Sequence, residues 1–272
     1  MKKNSDNINT VSVLERRGYL LRETIGEGTF AKVKLAICTK RNQKVAIKVL
    51  SKKNCDLYNK DDRTTAMIKR EVYTVKGLKH PNIVRYYEAI ETTTRVCIVM
   101  EYMGKGSLLD LLRREINVSE DTARKWFGQI LDALSYIHKR GIVHRDIKCE
   151  NVMLDDLGQN VKLVDFGLAR DKMLDSNKQF IKSSTFCGSF AYSSPELLRG
   201  LPHRQNMSDL WAASVVMYAM LYGQLPFRDD NPNIEIQNKK IKEPSDMETD
   251  VEADQEPNEE TDIQLKPLKV FT

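Results

Sequence analysis

The segment His144-Arg145-Asp146, with Lys148 and Asn151 close behind it, restricts the fold more than any other feature of this chain. An aspartate in that setting can orient an incoming hydroxyl and accept its proton. A lysine two residues on can neutralise charge developing on a transferred phosphoryl group. An asparagine five residues after the aspartate offers an oxygen ligand to Mg2+, a hard cation. Asp165-Phe166-Gly167 follows, after a β-compatible stretch. Its carboxylate would hold ions that bridge phosphates, Phe166 would pack beneath, and Gly167 would free the backbone to swing. The competing readings are a plain loop of charged residues and a plain turn. The order of the two segments argues against both.

Two earlier features point the same way. Gly26-Glu27-Gly28-Thr29-Phe30-Ala31 lies between strand-like stretches, with Val33 just beyond. Glycines let backbone N–H groups approach phosphate oxygens, although a tight hairpin turn explains two glycines as well. The stretch is not a strand–turn–helix dinucleotide fingerprint, because strand follows it, and it lacks the Gly-Lys-Ser/Thr ending of a Walker loop. Lys48 ends Val45-Ala46-Ile47-Lys48 inside an otherwise apolar strand, with Glu71 as its candidate partner on the next helix. A purely structural salt bridge is the alternative. Beside the glycine turn, a lysine clamping the α and β phosphates is the better account.

Periodicity predicts strands over residues 19–25, 33–38, 44–50, 85–90 and 95–101, and a helix over 64–78 that His80-Pro81-Asn82 stops. A hinge-like stretch at 102–106 leads to a short helix over 107–113 and an amphipathic helix over 120–139, for which Ser119 is the N-cap. Short strands at 152–154 and 161–163 precede a long mixed loop over 165–196. Residues 210–222 are almost wholly apolar and are expected to form a helix buried on every side. Residues 1–18 are polar and are expected to be loosely ordered.

Charge divides the chain. Residues 228–272 hold 6 of its 43 Lys and Arg but 13 of its 38 Asp and Glu, so they carry −7 and the remainder +12. The basic body suits anionic ligands such as nucleotides. No groove or motif for specific nucleic-acid binding accompanies it. Residues 243–262 hold ten acidic and no basic residues, which leads to an expectation of disorder over 228–272. The five cysteines are widely spaced, without a CxxC pair. That argues against a disulfide scaffold or structural zinc and fits a reducing compartment. The first residues lack the apolar core of a signal peptide, and the apolar stretch at 211–222 has about half the length of a membrane span. No membrane span and a cytoplasmic location are therefore expected.

Taken in order, Gly26-x-Gly28-x-x-Ala31-x-Val33, Val45-Ala46-Ile47-Lys48, Glu71, the segment from His144 to Asn151, Asp165-Phe166-Gly167 and Ser194-Pro195-Glu196 resemble the landmarks of a eukaryotic serine/threonine protein kinase. Lys148-Cys149-Glu150-Asn151, Thr185-Phe186-Cys187-Gly188-Ser189 and Tyr222-Gly223-Gln224-Leu225-Pro226-Phe227 are most similar to the testis-specific serine kinases. The resemblance covers residues 19–227. It implies an α+β, two-lobed kinase fold, with a five-stranded sheet and helix C in a small lobe over 19–103. A mainly helical larger lobe over 104–227 would follow, ending after helix F, between a polar extension at 1–18 and an acidic tail at 228–272.

The resemblance also implies roles. ATP and Mg2+ would be the cofactors, and a protein Ser or Thr hydroxyl would receive the γ-phosphoryl group. Asp146 would be the catalytic base and Lys148 would support the phosphoryl group. Asn151 and Asp165 would hold metal. Ile25, Gly26, Glu27, Gly28, Val33, Ala46, Lys48, Glu71, Met100, Glu101, Met103 and Met153 would surround the nucleotide, with Met100 as gatekeeper. Arg145 would pair with a phosphate on Thr185, and Ser189 would contact the catalytic aspartate. Lys148 resembles Ser/Thr rather than Tyr kinases, and Glu150 resembles a position favouring a basic residue before the target hydroxyl.

Departures accompany the matches. Ala31 stands for the third glycine, Ser194 for alanine, and Phe190 where proline is common. Ser214 in the apolar helix needs a partner and can bond back to the preceding turn. The family continues past Phe227 with helices and an arginine for the glutamate matching Glu196. The remaining 45 residues show no such pattern. An incomplete lower lobe, marginal stability and a chaperone or regulatory partner are expected. The alternative function is then a kinase-shaped interaction or scaffold protein with weak or no catalysis.

Overall fold

The computed structural model describes residues 11, 13–27, 31–52 and 72–227. Gly28, Glu71 and the whole of 228–272 lie outside the described residues, so the expectations placed on them are not addressed. After a helical turn at residues 13–16 come five antiparallel strands: β1 (Tyr19–Glu27), β2 (Ala31–Cys38), β3 (Gln43–Ser51), β4 (Tyr86–Glu91) and β5 (Arg95–Glu101). They form one sheet in the order β1-β2-β3-β5-β4. Between β3 and β4, residues 72–76 are helical.

The two faces of this sheet follow from the period-2 alternation of strands. Val45 and Ile47 on β3, with Cys97 and Val99 on β5, join one buried cluster that also holds Leu14, Tyr19, Ala36 and Ile90. Leu50, Val96 and Ile98 pack on a second cluster. The register sets Ala46 opposite Met100 and Lys48 opposite Ile98. Leu14 corrects the expectation of loose order for residues 13–18, while residues 1–10 and 12 lie outside the described residues. Leu14 is fully buried, and Arg17 and Tyr19 both reach Glu88. One deeply buried leucine contributes roughly 1.5–3 kcal/mol, enough to tether a short segment.

The second half is helical. α1 (Leu108–Glu115) starts on a capping box in which Ser107 and Asp110 satisfy each other's backbone N–H. α2 (Glu120–His138) buries Ala123, Trp126, Ile130, Ala133, Leu134 and Ile137, a 3–4 spacing that gives one apolar face. Two short strands, β6 (Val152–Leu154) and β7 (Val161–Leu163), pair as a hairpin. β8 (Lys182–Ser183) pairs with β9 (His203–Arg204), on either side of the short α3 (Pro195–Leu198). α4 (Gln205–Tyr222) packs on α2 within the main core.

α4 departs from the expectation of burial on every side. Asp209, Ala212, Ala213, Val215, Val216, Ala219 and Met220 are buried, but Met207 is 54% and Tyr222 58% exposed, and Leu210 and Ser214 also face solvent. The apolar content of a helix does not fix how much of its circumference other elements cover. Ser214 does donate back to the Leu210 carbonyl at 3.0 Å, as expected. The helix ends at Gly223 in the left-handed region (φ 67°). A Cβ there would fall 2.3 Å from the Ile116 carbonyl oxygen, so the close approach of the α1–α2 link requires glycine.

Candidate active site

A cavity of about 330 Å3 opens between the sheet and the β6–β7 hairpin. Ile25, Gly26, Val33, Ala46, Lys48, Met100, Glu101, Met103, Met153, Asn151 and Asp165 all line it. Most of the residues that the sequence assigns to a nucleotide and its metal therefore meet at one place. Glu27 does not: its carboxylate meets Lys32 at 2.5 Å across the β1–β2 pair. At the polar end, Lys48 Nζ donates to Asp165 Oδ1 at 2.7 Å. Burial works against charge on Asp165. The Lys48 ammonium and the Gly167 N–H outweigh it and hold the carboxyl below the usual carboxylate range.

The loop from His144 to Asn151 presents a second cluster. Asn151 Nδ2 donates to the Asp146 backbone carbonyl and to Asp146 Oδ2, both at 2.8 Å. Lys148 Nζ lies 3.0 Å from the same Oδ2 and donates to Ser189 Oγ at 3.2 Å. Asp146 Oδ1 has only a long contact with Ser189 Oγ, at 3.5 Å. One carboxylate oxygen is thus fixed by two donors, while the other keeps accepting capacity for an incoming hydroxyl. Gly188 makes this approach feasible. It has φ 97°, and a Cβ would sit 2.7 Å from the Arg145 carbonyl.

The loop is anchored by a residue to which the sequence reading gave no role. Asp209 on α4 is 1% exposed and accepts from His144 N at 2.9 Å, from Arg145 N at 2.8 Å and pairs with His138 Nε2 at 2.8 Å. The His144 ring lies on Phe166, with centroids 4.8 Å apart, and its Nε2 meets the Val164 carbonyl. The two conspicuous segments are thereby locked to each other. Arg145 Nε donates to the Leu168 carbonyl, and Arg145 and Thr185 line one small cavity beneath the segment that follows. A second feature also escaped the sequence. Lys162 on β7 bonds both carboxylate oxygens of Glu101 on β5 at 2.8 Å, closing the side of the cleft. No local spacing announces either pair.

The donor set suits Mg2+. Asn151 commits its nitrogen to Asp146, which leaves its amide oxygen for a cation, and Asp165 supplies an ionised carboxylate. Hard oxygen donors of this number suit an ion that keeps water and takes phosphate oxygens as further ligands. The cysteines near the site are poor nucleophiles. Burial pushes the Cys149 thiol up to about 11, and it raises Cys187 as well.

Comparison with known proteins agrees with this geometry. The family model described as "Protein kinase domain" matches residues 19–268, running past Phe227. The chain is 39% identical over 233 residues to testis-specific serine/threonine-protein kinase 4 of Homo sapiens, covering 81% of this chain and 69% of that one. It is 42% identical over 229 residues to CBL-interacting protein kinase 32 of Oryza sativa subsp. japonica, covering 82% of this chain but 50% of that one. It is 43% identical over 212 residues to SNF1-like protein kinase ssp2 of Schizosaccharomyces pombe, covering 78% and 35%. The chain therefore spans between about a third and about two thirds of these relatives' lengths.

Proposed function

The chain belongs to the protein kinase family, and on that premise we propose that it transfers the γ-phosphoryl group of ATP to a serine or threonine hydroxyl of a protein. The observation that carries this reading is the division of labour at Asp146. Lys148 and Asn151 hold Oδ2, and Oδ1 stays open beside Ser189 at the edge of the nucleotide-sized cleft.

In this reading Ala46, Val33 and Met153 enclose the base, and the backbone of Glu101 and Met103 meets its polar edge. Lys48 binds the α and β phosphates and Gly26 lets the backbone approach them. Asn151 and Asp165 would hold Mg2+, whose chemistry when bound is to neutralise charge on the phosphate oxygens. Asp146 orients the target hydroxyl and takes its proton at Oδ1. Lys148, 3.0 Å from Asp146, offsets charge that develops between the two partners. A preference for Ser/Thr is supported by Lys148 and by the names of the relatives. The exposed Glu150 supports a basic residue near the target hydroxyl. A phosphate on Thr185 would gain Arg145 as partner. The free cysteines Cys38, Cys97, Cys149 and Cys187 support a reducing, cytoplasmic setting; among the described residues, no helix is long and apolar enough to cross a membrane.

The test is phosphoryl transfer by the purified full chain from labelled ATP and Mg2+ to peptides bearing Ser, Thr or Tyr, with an Asp146→Asn control. Label on Ser or Thr that vanishes in the control is expected. Label chiefly on Tyr, or label that persists in the control, overturns the assignment. A nucleotide-induced rise in melting temperature without turnover would favour the scaffold reading.

A further inference from the structure

Behind the helical residues 72–76 lies a second, open cavity of about 630 Å3, away from the nucleotide cleft. Its walls come from three separate parts of the chain: residues 73, 74 and 76–78, residues 140 and 142 ahead of the catalytic loop, and residues 171–172 behind Asp165-Phe166-Gly167. Leu78 and Ile142 supply an apolar floor. Lys76, Arg140 and Lys172 supply three cations against one carboxylate, Asp171. Lys76 and Lys172 are exposed and make no ion pair among the described residues. Arg140 is already in position. Its guanidinium lies 3.6 Å from the Tyr136 ring centroid and donates to the Tyr136 carbonyl, which fixes the plane while leaving further N–H donors. The fourth observation is Thr74. It is 4% exposed and lines the same cavity, and its hydroxyl has no hydrogen-bond partner among the described residues.

An apolar floor and a cationic rim suit one kind of occupant. We propose that this groove is a docking surface for an acidic peptide segment of a protein partner. Carboxylates would meet Lys76, Arg140 and Lys172, and apolar side chains would cover Leu78 and Ile142. Charge complementarity of this sort sets partner choice and encounter rate. The groove shares no lining residue with the nucleotide cleft, so the proposal stands apart from the catalytic reading.

The probe is a fluorescein-labelled peptide of about twelve residues, mostly glutamate with two leucines, followed by anisotropy against the full chain at physiological salt. Saturable binding is expected, with no binding of the same peptide carrying glutamine for glutamate. The Lys76→Glu/Lys172→Glu variant should weaken binding by about tenfold or more. Its milder Lys→Gln counterpart should give a smaller loss in the same direction, and both sites are exposed enough to leave the melting temperature near wild type. Reversal of two exposed cations elsewhere, Lys125→Glu/Arg199→Glu, should leave binding intact. Equal loss from that control would show general attraction to a basic body and overturn the proposal. So would absence of saturable binding, or loss on Lys48→Met, which would put the peptide in the nucleotide cleft.

Discussion

The catalytic loop and the outer flank of α4 belong to the same core but are finished to different standards. In the loop from His144 to Asn151, buried polar groups find partners: Asp209 takes two backbone N–H groups, and Asn151 and Lys148 share Asp146. On α4 the opposite holds. Four buried polar side-chain atoms among the described residues have no partner, and three of them, on Gln205, Asn206 and Trp211, belong to this helix. Met207, Leu210 and Ser214 form a stripe at helical spacing that faces water, and Trp211 stacks on the half-exposed Phe227. The same helix thus carries a carboxylate with three partners, Asp209, and, at Gln205 one turn before it and at Asn206 and Trp211, buried polar atoms that have none among the described residues. Polar satisfaction tracks the chemistry here, because a misplaced group at the reacting centre loses rate as well as stability.

The sharpest way to break that contrast is Asp209→Ala. It leaves two buried N–H groups and His138 without their acceptor, so a loss of about 3–5 kcal/mol in a denaturant melt is expected, together with loss of phosphoryl transfer. Little change in stability would mean that the loop is not held from α4. Asp146→Asn should leave the melt almost unchanged and lower kcat by roughly 10^2–10^4, the range for removing a general base. A variant with near-normal kcat would remove Asp146 from the chemistry.

Lys162→Met tests the seam beside the hinge. The Lys162–Glu101 pair is partly screened, at 18% and 28% exposure, so a rise in the nucleotide Kd of only about three- to tenfold is expected. The Glu101→Lys/Lys162→Glu swap should recover part of it, and isothermal titration reads both. For the open flank, Leu210→Glu should change stability by no more than about 0.5 kcal/mol, whereas a covered leucine would cost several. Light scattering should show equal or lower self-association in that variant. The smallest effect concerns pH. Asp165 has a depressed folded pKa, so its ion pair with Lys48 stabilises the fold above the ordinary aspartate value of about 4 and loses that contribution as pH falls through the lower folded value. The melting difference between wild type and Asp165→Asn should therefore be steady at neutral pH and shrink in acid. A difference independent of pH would mean that the pair does not contribute.

Much of the site was legible because its residues sit close together in sequence. Asp146, Lys148 and Asn151 span one short loop, and their spacing alone brings them into contact. Strand β5 and the β6–β7 hairpin run where alternation and apolar runs predict them. Partners far apart left no such trace. Asp209 reaches back 65 residues to His144, and Lys162 reaches 61 to Glu101. In a linear reading no local spacing announces what either of them meets. Leu14 was hidden for a related reason: a few apolar residues in a short polar segment do not say which of them is buried, and only the sheet shows that Leu14 has a pocket to fill.

What the sequence determined by itself was the chemistry on offer and the type of most elements, since both depend on residue identity over a few positions. Only the tertiary structure decided which groups are satisfied and which faces are covered. It buried Asp209 and opened Leu210 on adjacent positions of one helix. Residue type alone does not separate those outcomes, because burial and hydrogen bonding depend on what packs opposite each side chain, and that is set by contacts between distant parts of the chain.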